Sequence, residues 1–333
     1  MEDACPLVTI ALFAYNHEKY VEEAIDAALT QEYPRLEIIL SDDRSTDKTF
    51  EIIQRRVAEY RGPHLIRARQ SLSNGGTLRH VLDVARESKG EFLVLATGDD
   101  IQLPGRTRLL ADAWKHSDAA AFSSPWHEID HAGSLITEHV RPEAKGNLVW
   151  QYFRDKKDRR FMSGPTAAYD ASFLKSLPIP NGKIFHEDTV FTFILHALDS
   201  GIHYVDTPTA AYRIHGASYS NRTFSGSSID QVKERELATA AYAKATAAYL
   251  EYLLYQFLPP VLADSPDVAS RIDLDFMHTH LRRSALEGSW IESTAFERLR
   301  ALLGARDMHE AAVMIPRLTG LNALAALKAL RGS

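Results

Sequence analysis

The strongest constraint on this chain is the alternation that runs through roughly its first 115 residues. Short runs of β-forming apolar residues take turns with segments of helical periodicity. Leu7 to Phe13 is an apolar run dense in β-formers. From about Lys19 to Gln31, Val21, Ala24, Ile25, Ala28 and Leu29 fall on one stripe of a helix. Leu36 to Leu40 reads as a second strand, and Ser45, Thr46 and Asp47 supply N-cap chemistry for a helix carrying Phe50, Ile53 and Val57. Leu65 to Arg69 follows as a strand, Asn74-Gly75-Gly76 as a turn, and Leu78, Val81, Leu82 and Ala85 as the buried face of the next helix. Glu91 to Thr97 is the clearest buried strand, and Pro104 is placed to open a further helix. This order predicts an α/β fold, a mostly parallel sheet with helices on both faces.

The pattern changes after about Ala119. Trp126 to Asp130 and Leu135 to Val140 flank His131-Ala132-Gly133 and predict a hairpin. Glu187 to Leu198 reads as a helix and Ile202 to Val205 as a strand. Beyond Ser228 only helical patterns remain, with Pro259-Pro260 expected to end the helix that carries Leu250, Leu253, Leu254 and Phe257. A Gly/Ser cluster near Ser225 to Ser228 suggests two domains, 1–225 and a helical 226–333.

Composition excludes several classes. At 45% hydrophobic and 25% charged residues the chain can build a large core. Its formal charge of -6 argues against a nucleic-acid partner. The single Cys5 can form neither an internal disulfide nor a cysteine metal cluster. The acidic start lacks the basic region of a secretory signal, and no apolar run reaches the ~18 residues of a membrane span. The expectation is a cytoplasmic protein.

In an open α/β sheet, ligands bind beyond the carboxyl ends of the strands. Three such ends carry polar groups. Gly98-Asp99-Asp100 follows the clearest strand, and adjacent carboxylates there need a proton or a cation to relieve their repulsion. A turn that caps the next helix is the plainer reading of the pair. Asp42-Asp43-Arg44-Ser45-Thr46-Asp47 follows the second strand, where Asp43 offers a carboxylate to a base N–H or a ribose hydroxyl. Ala14-Tyr15-Asn16 follows the first, where Tyr15 is placed to stack on a base.

Together these residues resemble the nucleotide-binding half of family 2 glycosyltransferases, which have the GT-A fold. The shared features run in order: Val8-Thr9-Ile10 through Tyr15-Asn16, Gln31, Asp42 to Asp47, Asn74-Gly75-Gly76 with Arg79, Gly98-Asp99-Asp100, Glu187-Asp188, and Tyr212-Arg213-x-His215 with Ser218. The resemblance covers roughly residues 5 to 222.

It implies an inverting transfer from a nucleoside-diphosphate sugar to the hydroxyl of a saccharide or lipid-linked acceptor, in polysaccharide or glycoconjugate synthesis. Asp43 is assigned to the nucleobase with Ala14, Tyr15 and Asn16 around it, and Arg79 to the nucleotide or its phosphates. Asp99 is assigned to the donor sugar or ribose, and Asp100 to a Mn²⁺ or Mg²⁺ that bridges the diphosphate. His215 is expected on that cation or the diphosphate, and Asp188, beside Glu187, as general base. Many members carry an acid at the position of Thr97, so here one acidic contact is missing.

Two alternatives compete. A catalytically inactive sugar-nucleotide sensor or scaffold would keep the binding residues, although retention of Asp99, Asp100 and Asp188 argues against it. A sugar nucleotidyltransferase needs its Gly-rich phosphate loop just after the first strand, whereas Gly75-Gly76 comes much later. Ser163-Gly164-Pro165 leaves room for an acceptor or is simply a turn, Trp126 and His127 border a cleft or fill a core, and Arg154 to Arg160 reads as a solvated loop. Asn221-Arg222-Thr223 is a sequon with meaning only in a secretory compartment. Leu318 to Leu330 reads as a helix that packs on protein, with a homo-oligomer contact or peripheral attachment to a membrane surface as its other uses.

Overall fold

The computed structural model describes residues 5–140, 162–198, 200–215, 228–264, 266–269, 274–303 and 321. The described residues divide into two compact units. One comprises those within 1–145, 156–180 and 185–216; the other comprises those within 181–184 and 217–333. Residues 216–227, at the expected domain boundary, lie outside the described residues, as do the Arg154 to Arg160 run and the sequon.

The first unit is built on a seven-stranded sheet. Its strands along the chain are β1 (Val8–Ala14), β2 (Leu36–Asp42), β3 (Leu65–Gln70), β4 (Phe92–Thr97), β6 (Ala121–Ser123), β9 (Ala168–Asp170) and β10 (Ile202–Tyr204), in the spatial order β10-β6-β9-β4-β1-β2-β3. The four leading strands are parallel, with Val8 opposite Leu36 and Phe92, and Glu37 opposite Leu65. Strands β1 and β2 are buried along their whole length, which is why they read as continuous apolar runs rather than as alternating patterns. Val8, Ile10, Leu12, Ile38, Leu40, Phe92 and Val94 share one core with α1 (Val21–Leu29), Ile53 of α2 (Thr49–Glu59), and Leu110 and Ala111 of α4 (Arg106–Lys115). Helix α3 (Thr77–Glu87) buries Leu78, Val81, Leu82 and Ala85 as its periodicity predicts. Each fully buried aliphatic side chain contributes about 1.5–3 kcal/mol, enough to override the indifferent propensity of such short segments.

Strand β9 runs against its neighbours, with Phe92 opposite Asp170 and Val94 opposite Ala168. The chain therefore enters β9 at the end where β4 leaves the sheet. The 3-10 turn Gly164–Thr166 sits at that end, and Leu95 N–H donates to the carbonyl of Ala167. After β9 come α5 (Ala171–Ser176) and α6 (Glu187–Ala197).

A four-stranded sheet of order β5-β11-β7-β8 completes the unit, from β5 (Ile101–Gln102), β7 (Trp126–Ile129), β8 (Leu135–Val140) and β11 (Ala210–Arg213). The expected hairpin is β7–β8. β11 pairs antiparallel with β5, the two-residue strand directly after Asp99-Asp100, so Arg213 is returned to those acids from more than a hundred residues away. Pro104 precedes the helix by a turn: Gly105 takes φ 77°, and α4 begins at Arg106.

The second unit is helical. Helix α7 (Ile229–Tyr252) starts with a capping box between Ser228 and Gln231. Pro259-Pro260 does not end the helical path as expected. A π-helical turn, Leu253–Phe257, widens the spiral, and α8 (Leu258–Ala263) continues with the prolines in its first turn. That position requires no proline N–H, and the wider turn relieves the clash of the rings with the preceding carbonyls. Helices α9 (Pro266–Ala269), α10 (Leu274–Ser289) and α11 (Ala295–Leu303) follow. Gly288 lets α10 approach α7, because a Cβ there would lie 2.6 Å from backbone atoms of Lys244. Gly182 belongs to this unit and faces Ala245 equally closely. Leu321, the described residue of the Leu318 to Leu330 segment, packs on the small cluster of Ala240 and Trp290.

Candidate active site

The carboxyl ends of β2, β1 and β4 lie side by side: Asp43 N–H donates to the Ala14 carbonyl, and Gly98 N–H to that of Phe13. Asp43 is buried, and its carboxylate accepts from the N–H groups of Gly75, at 3.1 and 3.2 Å, and Gly76, at 3.1 Å. It therefore holds the Asn74-Gly75-Gly76 turn against the end of β2. Asp42 is equally buried and is engaged by Ser45 and Gln70. Asp47 does act as a cap: it accepts from the Thr49 N–H and hydroxyl and from the Glu18 N–H. Those bonds outweigh the opposing effect of burial and hold its carboxyl below the usual range.

Asn16 adopts the left-handed φ of 56°, which a short amide side chain tolerates. Its Oδ1 accepts from the Thr46 N–H at 2.8 Å, and its own N–H donates to Ser45 Oγ. The polar tips of β1 and β2 thus brace each other, and Tyr15 remains exposed between them.

At the end of β4 the two acids part company. Asp100 is buried; its Oδ1 accepts from the Arg213 N–H at 2.8 Å and its Oδ2 from the Thr97 hydroxyl. Burial and the adjacent Asp99 charge push its carboxyl well above the ordinary range, against the pull of Thr97, Arg213 and Arg106. Asp99 is partly exposed, and its Oδ2 lies 3.1 Å from His215 Nε2 and 3.6 Å from His17 Nε2. Burial opposes its charge, but the His215 hydrogen bond and both imidazoles hold it below the ordinary range. The structure thus brings His215 within hydrogen-bond distance of Asp99, the neighbour of Asp100. Among the described residues, no three His, Cys, Asp or Glu side chains are gathered to hold an ion on their own.

Two buried arginines frame this turn. Arg213 donates from Nε to the Asp99 carbonyl (2.9 Å), from Nη1 to the carbonyls of Asp130 and His131, and from Nη2 to Glu23 (2.5 Å). Its guanidinium lies 5.0 Å from the centre of the Tyr20 ring, which also packs on His215. Arg106 is covered completely, donates to the carbonyls of Leu95 and Pro165, and is pushed down to about 9 by burial while Asp100 supports its charge.

Through Pro165 the site reaches the second acid pair. A Cβ on Gly164 would lie 2.9 Å from Glu187 Oε1, so the glycine gives that carboxyl its space. Burial, then the Asp188 charge, push Glu187 up to about 8. Burial also raises Asp188, against His186 and hydrogen bonds from the backbone of Thr189 and Gly164. The Asp188 carboxylate accepts from the Thr189 N–H at 2.7 Å. Asp43, Asp99, Asp100 and Asp188 therefore converge on one end of one sheet.

Arg79, half-exposed at the start of α3, lies along Gly75 of the turn that Asp43 holds, donates to the Pro180 carbonyl at 3.3 Å and pairs with Asp83. Gln31 is structural: it donates to the Leu103 carbonyl and accepts from Thr107, fixing the start of α4. Ser163-Gly164-Pro165 is a turn and Trp126 lies in β7. Four side chains that sequence reasoning passed over are His17, Tyr20, Glu23 and Arg106. The first three share one side of the β1–α1 segment at spacings of three, a periodicity that marks them only once His215 and Arg213 are known to face them.

Comparison with known proteins agrees with this geometry. Residues 9–177, about half of the chain, match the model of Glycosyl transferase family 2. The chain is 31% identical to Escherichia coli chondroitin synthase over 156 residues, which are 45% of this chain and 22% of that protein. It spans only about a quarter of the length of such curated relatives. Among solved structures, S. aureus TarS superposes with a TM-score of 0.54 at 15% identity, covering 98% of this chain and 54% of TarS. The mannosyltransferase PcManGT from Pyrobaculum calidifontis, in complex with GDP-Man and Mn²⁺, does so with 0.51 at 18%, covering 98% and 88%. The fold is GT-A with a helical C-terminal region, and the chain belongs to glycosyl transferase family 2.

Proposed function

We propose that this protein is an inverting glycosyltransferase that moves a sugar from a nucleoside diphosphate to an acceptor hydroxyl. The observation that carries the reading is the convergence of Asp43, the Asp99-Asp100 turn and Asp188 at the carboxyl end of one sheet, from positions far apart in the sequence. Asp43 and Tyr15 bind the nucleobase. Both stand at the carboxyl ends of the neighbouring strands β2 and β1, where the Asp43 N–H donates to the Ala14 carbonyl.

A divalent cation, Mn²⁺ or Mg²⁺, fits the end of β4. A partly exposed carboxylate beside an imidazole would offer one oxygen and one nitrogen donor to it. Asp99 and His215 would hold it, with Asp100 behind them fixing the turn. When bound, it supplies Lewis-acid stabilisation of the departing diphosphate. The GDP-Man and Mn²⁺ of the mannosyltransferase neighbour support donor and cation alike.

Asp188 takes the proton from the acceptor hydroxyl as that oxygen attacks the anomeric carbon opposite the diphosphate. A single displacement inverts the configuration. Burial raises the Asp188 carboxyl and makes it a stronger base than a solvated one. Glu187, pushed to about 8, is protonated at neutral pH and adds no competing negative charge. The acceptor is a saccharide or lipid-linked hydroxyl, and the relationship to chondroitin synthase favours polysaccharide synthesis. No helix among the described residues is long and apolar enough to cross a membrane.

The test is transfer or donor hydrolysis with a panel of UDP-, GDP- and dTDP-sugars, with and without Mn²⁺. Asp188→Asn should lower turnover by about 10²–10⁴ with donor affinity retained. Turnover unchanged in Asp188→Asn removes it as the base, and product of unchanged anomeric configuration excludes the single displacement.

A further inference from the structure

We propose that His17 is a positioning residue of the donor site, fixing Asp99 from the side opposite in sequence to His215. The inference rests on the assignment of Asp99 to the cation and diphosphate. Its carrier is the way the fold locks this side chain. The His17 N–H donates to Thr49 Oγ1 at 2.8 Å, and its carbonyl accepts from the N–H groups of Tyr20 and Val21 at 2.9 Å each. Asn16, immediately before it, turns the chain through a positive φ. The backbone of His17 is thus held by α2 on one side and by the first turn of α1 on the other, leaving the imidazole one way to go.

That way is across the end of β4. Nε2 stands 3.6 Å from Asp99 Oδ2. Nδ1 is buried, has no hydrogen-bond partner among the described residues, and faces Gly98, where a Cβ would lie 2.8 Å from it. An imidazole nitrogen without a partner is best left as a lone pair, which places the proton on Nε2, toward the carboxylate. This also explains why glycine stands between Thr97 and Asp99: the neighbouring imidazole occupies the room a side chain would need. A Cβ at Gly98 also meets Ala14 Cβ at 2.9 Å, so both walls exclude it.

His17 acts on Asp99 rather than beside it. Asp99 and His215 are the groups proposed to hold the cation, and His17, whose Nε2 stands 3.6 Å from Asp99 Oδ2, serves to orient that carboxylate. Such outer contacts to a ligating carboxylate govern cation affinity without touching the cation.

The experiment is titration of Mn²⁺ into the full chain with the nucleoside diphosphate that the wild type binds best. His17→Leu should raise the Mn²⁺ concentration for half-maximal nucleotide binding by about 10-fold or more, with metal-free nucleotide affinity unchanged. His17→Gln, which keeps an N–H near Nε2, should recover most of that loss, and Gly98→Ala should reproduce it by displacing the ring. Equal Mn²⁺ half-saturation in His17→Leu and wild type overturns the proposal.

A second readout needs neither metal nor nucleotide. His17→Leu and Asp99→Asn should be non-additive in urea midpoint, and strict additivity likewise overturns the pairing. Non-additive midpoints in a wild type that shows no Mn²⁺-dependent binding would count against the proposed function, not against the contact.

Discussion

Arg213 grips Asp100 and Asp99 by different atoms: its backbone N–H donates to the Asp100 carboxylate and its Nε to the Asp99 carbonyl, at 2.8 and 2.9 Å. One residue, at the end of β11, thus fixes both members of the acidic turn. Its remaining nitrogens tie the same point to the β7–β8 hairpin and to α1.

Arg213→Lys should therefore be severe although it conserves charge. A single ammonium cannot serve carbonyls in three directions and Glu23 at once. Loss of about 1–3 kcal/mol of stability is expected from the hydrogen bonds that the buried guanidinium makes and an ammonium cannot. Urea denaturation measures that loss, and cation-dependent nucleotide binding should fall with it.

Asp43 supports its loop as well as the proposed base contact. Asp43→Asn turns one acceptor oxygen into a donor facing the N–H groups of Gly75 and Gly76. A cost of about 1–3 kcal/mol is expected from the unsatisfied donors. Calorimetry should show at least a roughly tenfold drop in nucleotide affinity, since each 1.4 kcal/mol is a factor of ten.

The acid pair on α6 makes the protein pH-sensitive in two ways. Asp188 must be ionised to accept a proton, so the rate should rise with pH through a midpoint above the usual aspartate value of about 3.9. Glu187 has its folded-state pKa raised from 4.5 to about 8. Between those values the folded form binds more protons than the unfolded one, so stability declines as pH rises through that window. Glu187→Gln cannot ionise and should show a flatter urea midpoint between pH 5 and 8.5. Because Glu187 is already protonated at acidic pH, the substitution should leave the acidic limb of the rate profile in place.

The donor half was legible because its strands are buried on both faces and its acids follow them directly. Leu7 to Phe13, Leu36 to Leu40 and Glu91 to Thr97 cannot be satisfied except inside a sheet, and a polar group just past each has one place to go. What escaped was set by partners distant in the chain. Arg106 looks like an ordinary surface helix residue until Leu95 and Pro165 enclose it. Gln31 has no visible task in the sequence until Thr107 is found against it. The sharing of roles between Asp99 and Asp100 is equally invisible in two adjacent identical letters; it is decided by which oxygen meets Thr97 and which meets His215. His80 is a similar case, a histidine on an amphipathic helix whose ring lies wholly inside, 2.5 Å from Ser41 Oγ, with burial and the Arg69 charge driving it down to about 3.

Strand β9 has a consequence for how such a molecule diversifies. Because it is laid in reverse, its entry point rather than its exit opens onto the rim where the acids gather. Gly164, at that entry point, stands beside the Glu187 carboxyl. Substitutions there can therefore remodel the rim without disturbing the register of β1, β2 and β4 beneath it.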